Sequence, residues 1–186
     1  MTKHRITQTL SSIPRKGMEC VVSRLEEAGF FEAPASTKFH LSCKGGLAEH
    51  SWNTYQAALA IREAVIRLKP EIAPELPLES VAICALLHDV CKTDIYKRSI
   101  MYQGYTVDYA AGLPLGHGEK SVILLLSWGL ELTREEMLAI RWHMNAWDLP
   151  LQSYEHKSSI DAAKSVTPLV TLIQTADGIA AGMLER

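Results

Sequence analysis

Six residues form a set capable of chemistry: His50, the adjacent His88 and Asp89, His117, His143 and Asp177, each on an apolar stretch with helical spacing or at its end. Any one of them alone reads as a satisfied core histidine or, for Asp177, as a cap on a neighbouring helix. Together they place four imidazoles and two carboxylates in apolar surroundings, which is costly unless something pairs with them. A divalent cation suits this mixture. Imidazole with carboxylate fits Mn, Fe, Co, Ni or Zn, with Mg also compatible, and the lack of cysteine pairs argues against a structural zinc site. Six candidate ligands exceed what one four-coordinate ion with an open position takes. The surplus points to two ions sharing bridging oxygens, a geometry suited to phosphoester hydrolysis through a metal-activated water.

Other residues qualify as substrate contacts. Lys92 leaves the same helix face as His88, one turn later, and can meet a phosphate as a point charge; the alternative is a solvated helix end. Lys38 and His40 precede the Gly45-Gly46-Leu47 turn that leads into the segment carrying His50, so they are candidates to reach substrate or, equally, surface loop residues. Arg141, two residues before His143, points away from it on an ideal helix and is held as a phosphate candidate. His4 and His156 lie in polar segments and read as solvated, and Trp52, Trp142 and Trp147 read as core.

These side chains need helices to present them. Regular structure is expected to begin with a short amphipathic segment, Val21 to Ala28, ending at Gly29, followed by an ordered loop from Phe30 to Gly46. Leu47, Ser51, Thr54, Ala58, Ile61, Val65 and Leu68 then recur at steps of three and four until Pro70, and His50 points the same way. Ser80 to Val90 is apolar almost all round, as a central buried helix would be, with His88 and Asp89 at its end. In Ile100-Met-Tyr-Gln-Gly-Tyr-Thr-Val, aromatic and β-branched residues lie on either side of Gln103-Gly104, a hairpin signal. Residues Tyr96 to Tyr109 are placed to form a flap over the cleft. Gly116-His117-Gly118 opens a run that ends at Gly129; Thr133 and Glu136 have capping-box spacing ahead of Met137, Ile140 and Met144. Thr167-Pro168 starts a last helix, Leu169 to Leu184, around Asp177. The fold class is all-α with one small β-hairpin, in a single domain over 1–186 with an N-terminal extension at 1–16 and a helical core at 17–186.

Composition narrows the function. The chain has 186 residues, 47% hydrophobic and 22% charged, the balance of a packed globule. Lys plus Arg total 19 against 21 Asp plus Glu, a formal charge of −2, so no basic field exists to hold long nucleic acid, while a small anionic substrate stays open. No apolar run approaches the roughly 20 residues of a membrane helix, and no signal-peptide core follows Met1. Cys20, Cys43, Cys84 and Cys91 show no disulfide framework, so a cytoplasmic protein with free thiols and no membrane partner is expected.

The order His50, His88-Asp89, Asp177, with Lys92 in HDVCK, resembles the HD-domain superfamily of metal-dependent phosphohydrolases over about Phe31 to Leu184. The phrases APASTKFH, GGLAEHS, LLHDVCKTDIY, PLGHGEKS, AIRWHM and TADGIAAG look like a bacterial branch of stand-alone HD proteins, and the first three are also similar to the HD domain of certain 3′-5′ exoribonucleases. The resemblance implies an HD helical bundle in which His50, His88, Asp89 and Asp177 hold one metal. In dinuclear members two further histidines hold a second, which here implies His117 and His143 with Asp89 bridging. Many members have Gly where this chain has Cys91. The implied activity is hydrolysis of a nucleotide or other small phosphoester, with Asp89 and Lys92 catalytic and Lys92, His40, Lys38 and Arg141 binding substrate. The same ligands also serve two alternatives: a mixed-valent di-iron oxygenase resembling myo-inositol oxygenase, and a nucleotide-binding sensor without turnover.

Overall fold

Apolar residues at helical spacing through 47–68 fold as the longest helix, and the rest of the chain is arranged around it. The computed structural model describes residues 1–101, 103–108, 112–144 and 154–186, apart from the side chain of His156. Its helices are α1 (Thr2–Ser11), α2 (Met18–Glu27), α3 (Gly46–Leu68), α4 (Leu78–Leu87), α5 (Lys92–Ile95), α6 (His117–Ser127), α7 (Arg134–Trp142), α8 (Tyr154–Val166) and α9 (Pro168–Ile179). A 3-10 segment, Pro70–Glu75, follows α3, and a π-type turn, Ala180–Leu184, follows α9. The architecture is the expected all-α bundle with a two-stranded hairpin.

Helix α4 is apolar on every side because α1, α3, α7 and α9 all pack against it, so no face is left for polar residues. Helix α3 lies between α4 and α9, and α7 connects α9 to α6. Glu136, completely buried, ties distant parts of this arrangement together. Its backbone and side chain complete a capping box with Thr133 at the start of α7. Its carboxylate also accepts from both terminal nitrogens of Arg15 at 2.8 and 3.1 Å and from the Ser80 hydroxyl at 2.7 Å. The connection ahead of α2 and the first turn of α4 are thereby fixed to α7.

Four elements differ from the sequence expectation. Regular structure begins at Thr2, not Val21: Ile6 and Leu10 on α1 are fully buried against α2, α3 and α4. That apolar stripe is one residue wide on a polar helix whose N-cap makes no side-chain bond, which leaves little periodicity to read. Helix α8 hides the same way: among its described side chains only Ile160 and Ala163 are buried. The hairpin pairs Tyr96–Arg98 (β1) with Tyr105–Val107 (β2) in register Tyr96↔Val107, so its first strand precedes the expected one; Ile100 and Met101 are fully exposed instead. Helix α9 gives way to the π-type turn at Ala180 and does not run as α-helix to Leu184. The expectations for Trp147, for the side chain of His156 and for the flap at Tyr102 and Tyr109 lie outside the described residues.

Candidate metal centre

His50 sits in the second turn of α3 on the face that buries Leu47, Ser51 and Thr54. Its helix can start where it does because Gly45 adopts a left-handed conformation (φ +79°) and Gly46 lies against the Leu41 carbonyl, where any Cβ would collide. His88 ends α4, and the tight turn after it, with the Lys92 amide donating to the Asp89 carbonyl at 2.9 Å, puts Asp89 and Lys92 on the same side. His117 opens α6 and His143 closes α7. These two helix ends meet because Gly118 packs directly on the Arg141 carbonyl, and the rings lie 5.5 Å apart. Asp177 comes from the last turn of α9.

The six residues converge. His50 Nε2 lies 3.1 Å from Asp177 Oδ1 and 3.3 Å from His88 Nε2, and His88 Nε2 lies 3.9 Å from Asp177 Oδ1. Asp89 divides its carboxylate between two halves of the site. Oδ2 is 3.3 Å from His88 Nε2 and 3.6 Å from His50 Nε2, whereas Oδ1 is 2.5 Å from His117 Nε2 and 3.3 Å from His143 Nε2. His50, His88, Asp89 and His143 are buried; His117 and Asp177 are 15% and 16% exposed, which marks the mouth of the site.

For His50, His88 and His143 the partner of the second ring nitrogen sets which nitrogen faces inward. His88 Nδ1 donates to the Ala85 carbonyl at 2.9 Å and His143 Nδ1 to the Ile140 carbonyl at 2.6 Å. His50 Nδ1 donates to the Glu185 carboxylate, 3.1 Å from each oxygen. With Nδ1 engaged in this way, it is Nε2 of each of these rings that faces the common centre, the arrangement of a metal-binding histidine.

Electrostatics fit the same picture. Burial would raise the Asp89 carboxyl, but Lys92, His88 and His117 hold it well below the usual carboxylate range. Burial likewise opposes ionisation of Asp177, and the His50 and His88 contacts overcome it. His50 is pushed up to about 9: desolvation lowers it, and the bonds to Asp177 and Glu185 outweigh that. Burial holds His143 below its ordinary value, so this ring is kept neutral.

Whether the donors suit a cation is decided by what they lack. Buried His143 Nε2 makes no hydrogen bond although it faces Asp89 Oδ1, and such an orphaned acceptor is the expected signature of a ligand. The donors form overlapping triads, His50/His88/Asp177, His88/Asp89/His143 and Asp89/Cys91/His117, each with ligand atoms within 4.8 Å of one another. Imidazole with carboxylate is the set that first-row divalent metals take. A family model for the HD domain matches residues 47–182. The chain belongs to the HD-domain family. No curated protein and no solved structure matches it. HD domains are generally metal-dependent hydrolases that bind divalent metals, and the His/Asp clusters of this HD domain lie inside the matched span.

The remaining candidates fall in different places. Lys92 is buried with Nζ 2.5 Å from Asp89 Oδ2, inside the cluster. The His40 ring lies 4.9 Å from that of His50, held there by a loop in which Ser36 bonds the His40 carbonyl and the Phe39 amide. Lys38 is exposed on the same loop. Arg141 is drawn to α6, with its guanidinium 2.5 Å from Glu119 and over the Trp142 ring. Buried Lys120, and Glu185, which is half-buried overall with a shielded side chain, were not anticipated. Lys120 pairs with Asp94 at 2.8 Å, and Glu185 backs His50. Glu185 lies beyond the last apolar residue of a segment that reads as a frayed helix end, so only the fold reveals its burial. No described helix is long and apolar enough to cross a membrane.

Proposed function

We propose that this HD domain is a phosphohydrolase that acts on a nucleotide or another small phosphoester and uses two divalent cations. The observation that carries this reading is the division of the Asp89 carboxylate, with Oδ2 facing His50 and His88 and Oδ1 facing His117 and His143. His50, His88, Asp89 and Asp177 would hold one ion, and Asp89, His117 and His143 the other. Bound there, the cations supply Lewis acidity toward phosphoryl oxygens and acidify a water.

The chain's own groups do the rest. Asp89 is kept ionised by its cationic neighbours, so it is a ligand at any physiological pH. Lys92 contributes a fixed positive charge beside it, placed to neutralise charge that develops on the phosphoryl group. The part-open edges of His117 and Asp177 are where substrate enters. Beside His117 a cavity of about 390 Å³, lined by Cys91, Ile95, Val107, Leu113 and Leu115 with the charged Asp108 and Lys120, is of a size that favours a small organic moiety over a polymer. The net charge of −2 supports the same choice. The four free cysteines, two of them exposed, suit a reducing cytoplasm.

The test is a panel of mononucleotides, cyclic dinucleotides and simple phosphoesters with Mn, Co, Ni or Fe, run both with and without oxygen against an Asp89→Ala control. Metal-dependent release of phosphate or nucleoside, absent in the control, is expected. An oxygen-dependent product with a mixed-valent iron EPR signal would replace hydrolysis by oxygenation. Tight nucleotide binding without turnover would make the domain a sensor.

A further inference from the structure

His50, His88 and His143 are not oriented alike. His88 and His143 donate to carbonyls three residues earlier in their own helices, contacts that any residue type at those positions supplies. His50 is different: its partner is a carboxylate 135 residues away in sequence. Glu185 reaches it from just beyond the π-type turn Ala180–Leu184, past residue 182 where the family match ends. The Glu185 side chain is 1% exposed, both oxygens are 3.1 Å from His50 Nδ1, and Asn53 Nδ2, one turn along α3, donates to Oε1 at 3.1 Å.

We propose that Glu185 is a positioning residue for the first cation: it holds His50 in the Nδ1–H form, aims Nε2 at Asp177 and His88, and makes the ring a stronger donor. A charge-assisted bond fixes a ring more firmly than a neutral carbonyl does, and a carboxylate behind an imidazole raises its basicity toward metal. His40, whose Nε2 is buried without a hydrogen bond and 4.0 Å from Glu185 Oε2, covers the other side of the contact and keeps water from it. The C-terminal turn thereby becomes part of the metal centre, so metal binding and docking of this turn on α3 are coupled.

The plainer role for Glu185 is an anchor that ties the turn to α3 through Asn53. The two roles separate experimentally, and the inference rests on the reading of the site as a metal centre. Mn²⁺ affinity and stoichiometry are measured by calorimetry for the wild type, Glu185→Ala, Glu185→Gln and Asn53→Ala, with circular dichroism to confirm the fold. Glu185→Ala is expected to weaken the first ion roughly 10–100-fold and to leave the second nearly unchanged. Glu185→Gln keeps an amide oxygen to accept from Nδ1 without the charge, so it should fall between Glu185→Ala and the wild type and also serves if the alanine variant does not fold. Asn53→Ala, which loosens the anchor alone, should stay within about threefold of the wild type. Long-range ¹⁵N–¹H spectra of the His50 ring in metal-free protein, taken well above pH 9 where the ring is neutral, should show the Nδ1–H form in the wild type and a mixture in Glu185→Ala. Wild-type affinity in both Glu185 variants, or an equal loss in Asn53→Ala, would overturn the positioning role while leaving the metal centre standing. Failure of the wild type to bind Mn²⁺ would overturn both.

Discussion

Gly118 packs against the carbonyl of Arg141 so closely that a Cβ at position 118 would overlap it. The contact joins the start of α6 to the end of α7, and it is what brings His117 within reach of His143. Gly118→Ala must push these helix ends apart, a form of overpacking that costs about 1–3 kcal/mol. The expected result is a lower urea midpoint together with loss of the second ion, read by metal analysis as a stoichiometry falling from two toward one. Two ions retained at wild-type affinity would show that the approach of α6 and α7 does not build the second half-site.

Ligand removal should be asymmetric. Asp89 faces both halves of the site, so Asp89→Asn is expected to abolish binding of both ions. His117→Ala touches only the Oδ1 side and should spare the first ion. Titration of both variants with Co²⁺, followed by its visible absorption, checks this.

Lys92 sits beside Asp89 without being suited to hold a metal. Lys92→Met should therefore leave metal stoichiometry intact and lower kcat on the best phosphoester about 100-fold, the scale of losing one preorganised electrostatic donor. A fall in metal content with unchanged kcat per ion would assign Lys92 to maintaining Asp89 and not to substrate.

Arg15 and Glu136 make a structural prediction far from the chemistry. Arg15→Ala leaves a buried carboxylate with only Thr133 and Ser80 to satisfy it, so the domain should lose about 3 kcal/mol in denaturant unfolding. The double variant with Glu136→Gln should recover part of that loss, because the uncompensated charge is gone.

The pH dependence of stability should change with metal. His50 rises from 6.5 to about 9 on folding, facing Asp177, Asp89 and Glu185 on one side and His40, His88 and the Lys92 charge on the other. A raised value means that charged His50 stabilises the fold fully below pH 6.5, and that this contribution fades as pH rises through about 9. With EDTA, Tm should therefore decline across that window. With saturating Mn²⁺ the decline should vanish or reverse, since a cation takes His50 only after the ring has lost its Nε2 proton.

Much of this molecule was legible before its structure. The periodicity of α3, the all-round apolarity of α4, the Thr133/Glu136 box and the Thr167 cap are local signals, and each formed as read. The six-residue set could be singled out because polar residues on apolar helices are conspicuous by composition alone. What escaped depended on distant partners. Helices α1 and α8 bury so narrow a stripe that only their neighbours define it, and the first hairpin strand is placed by pairing with residues 105–107 and not by its own pattern. Nothing in the local sequence singles out Glu185 or Lys120; the π-type turn places one against His50, and Asp94 meets the other.

The most direct test of the central claim is anomalous diffraction from crystals of the protein grown with Mn²⁺. Two peaks are predicted, one enclosed by His50, His88, Asp89 and Asp177 and one by Asp89, His117 and His143, with the Asp89 carboxylate between them. Crystals in which manganese avoids these side chains altogether would contradict the account.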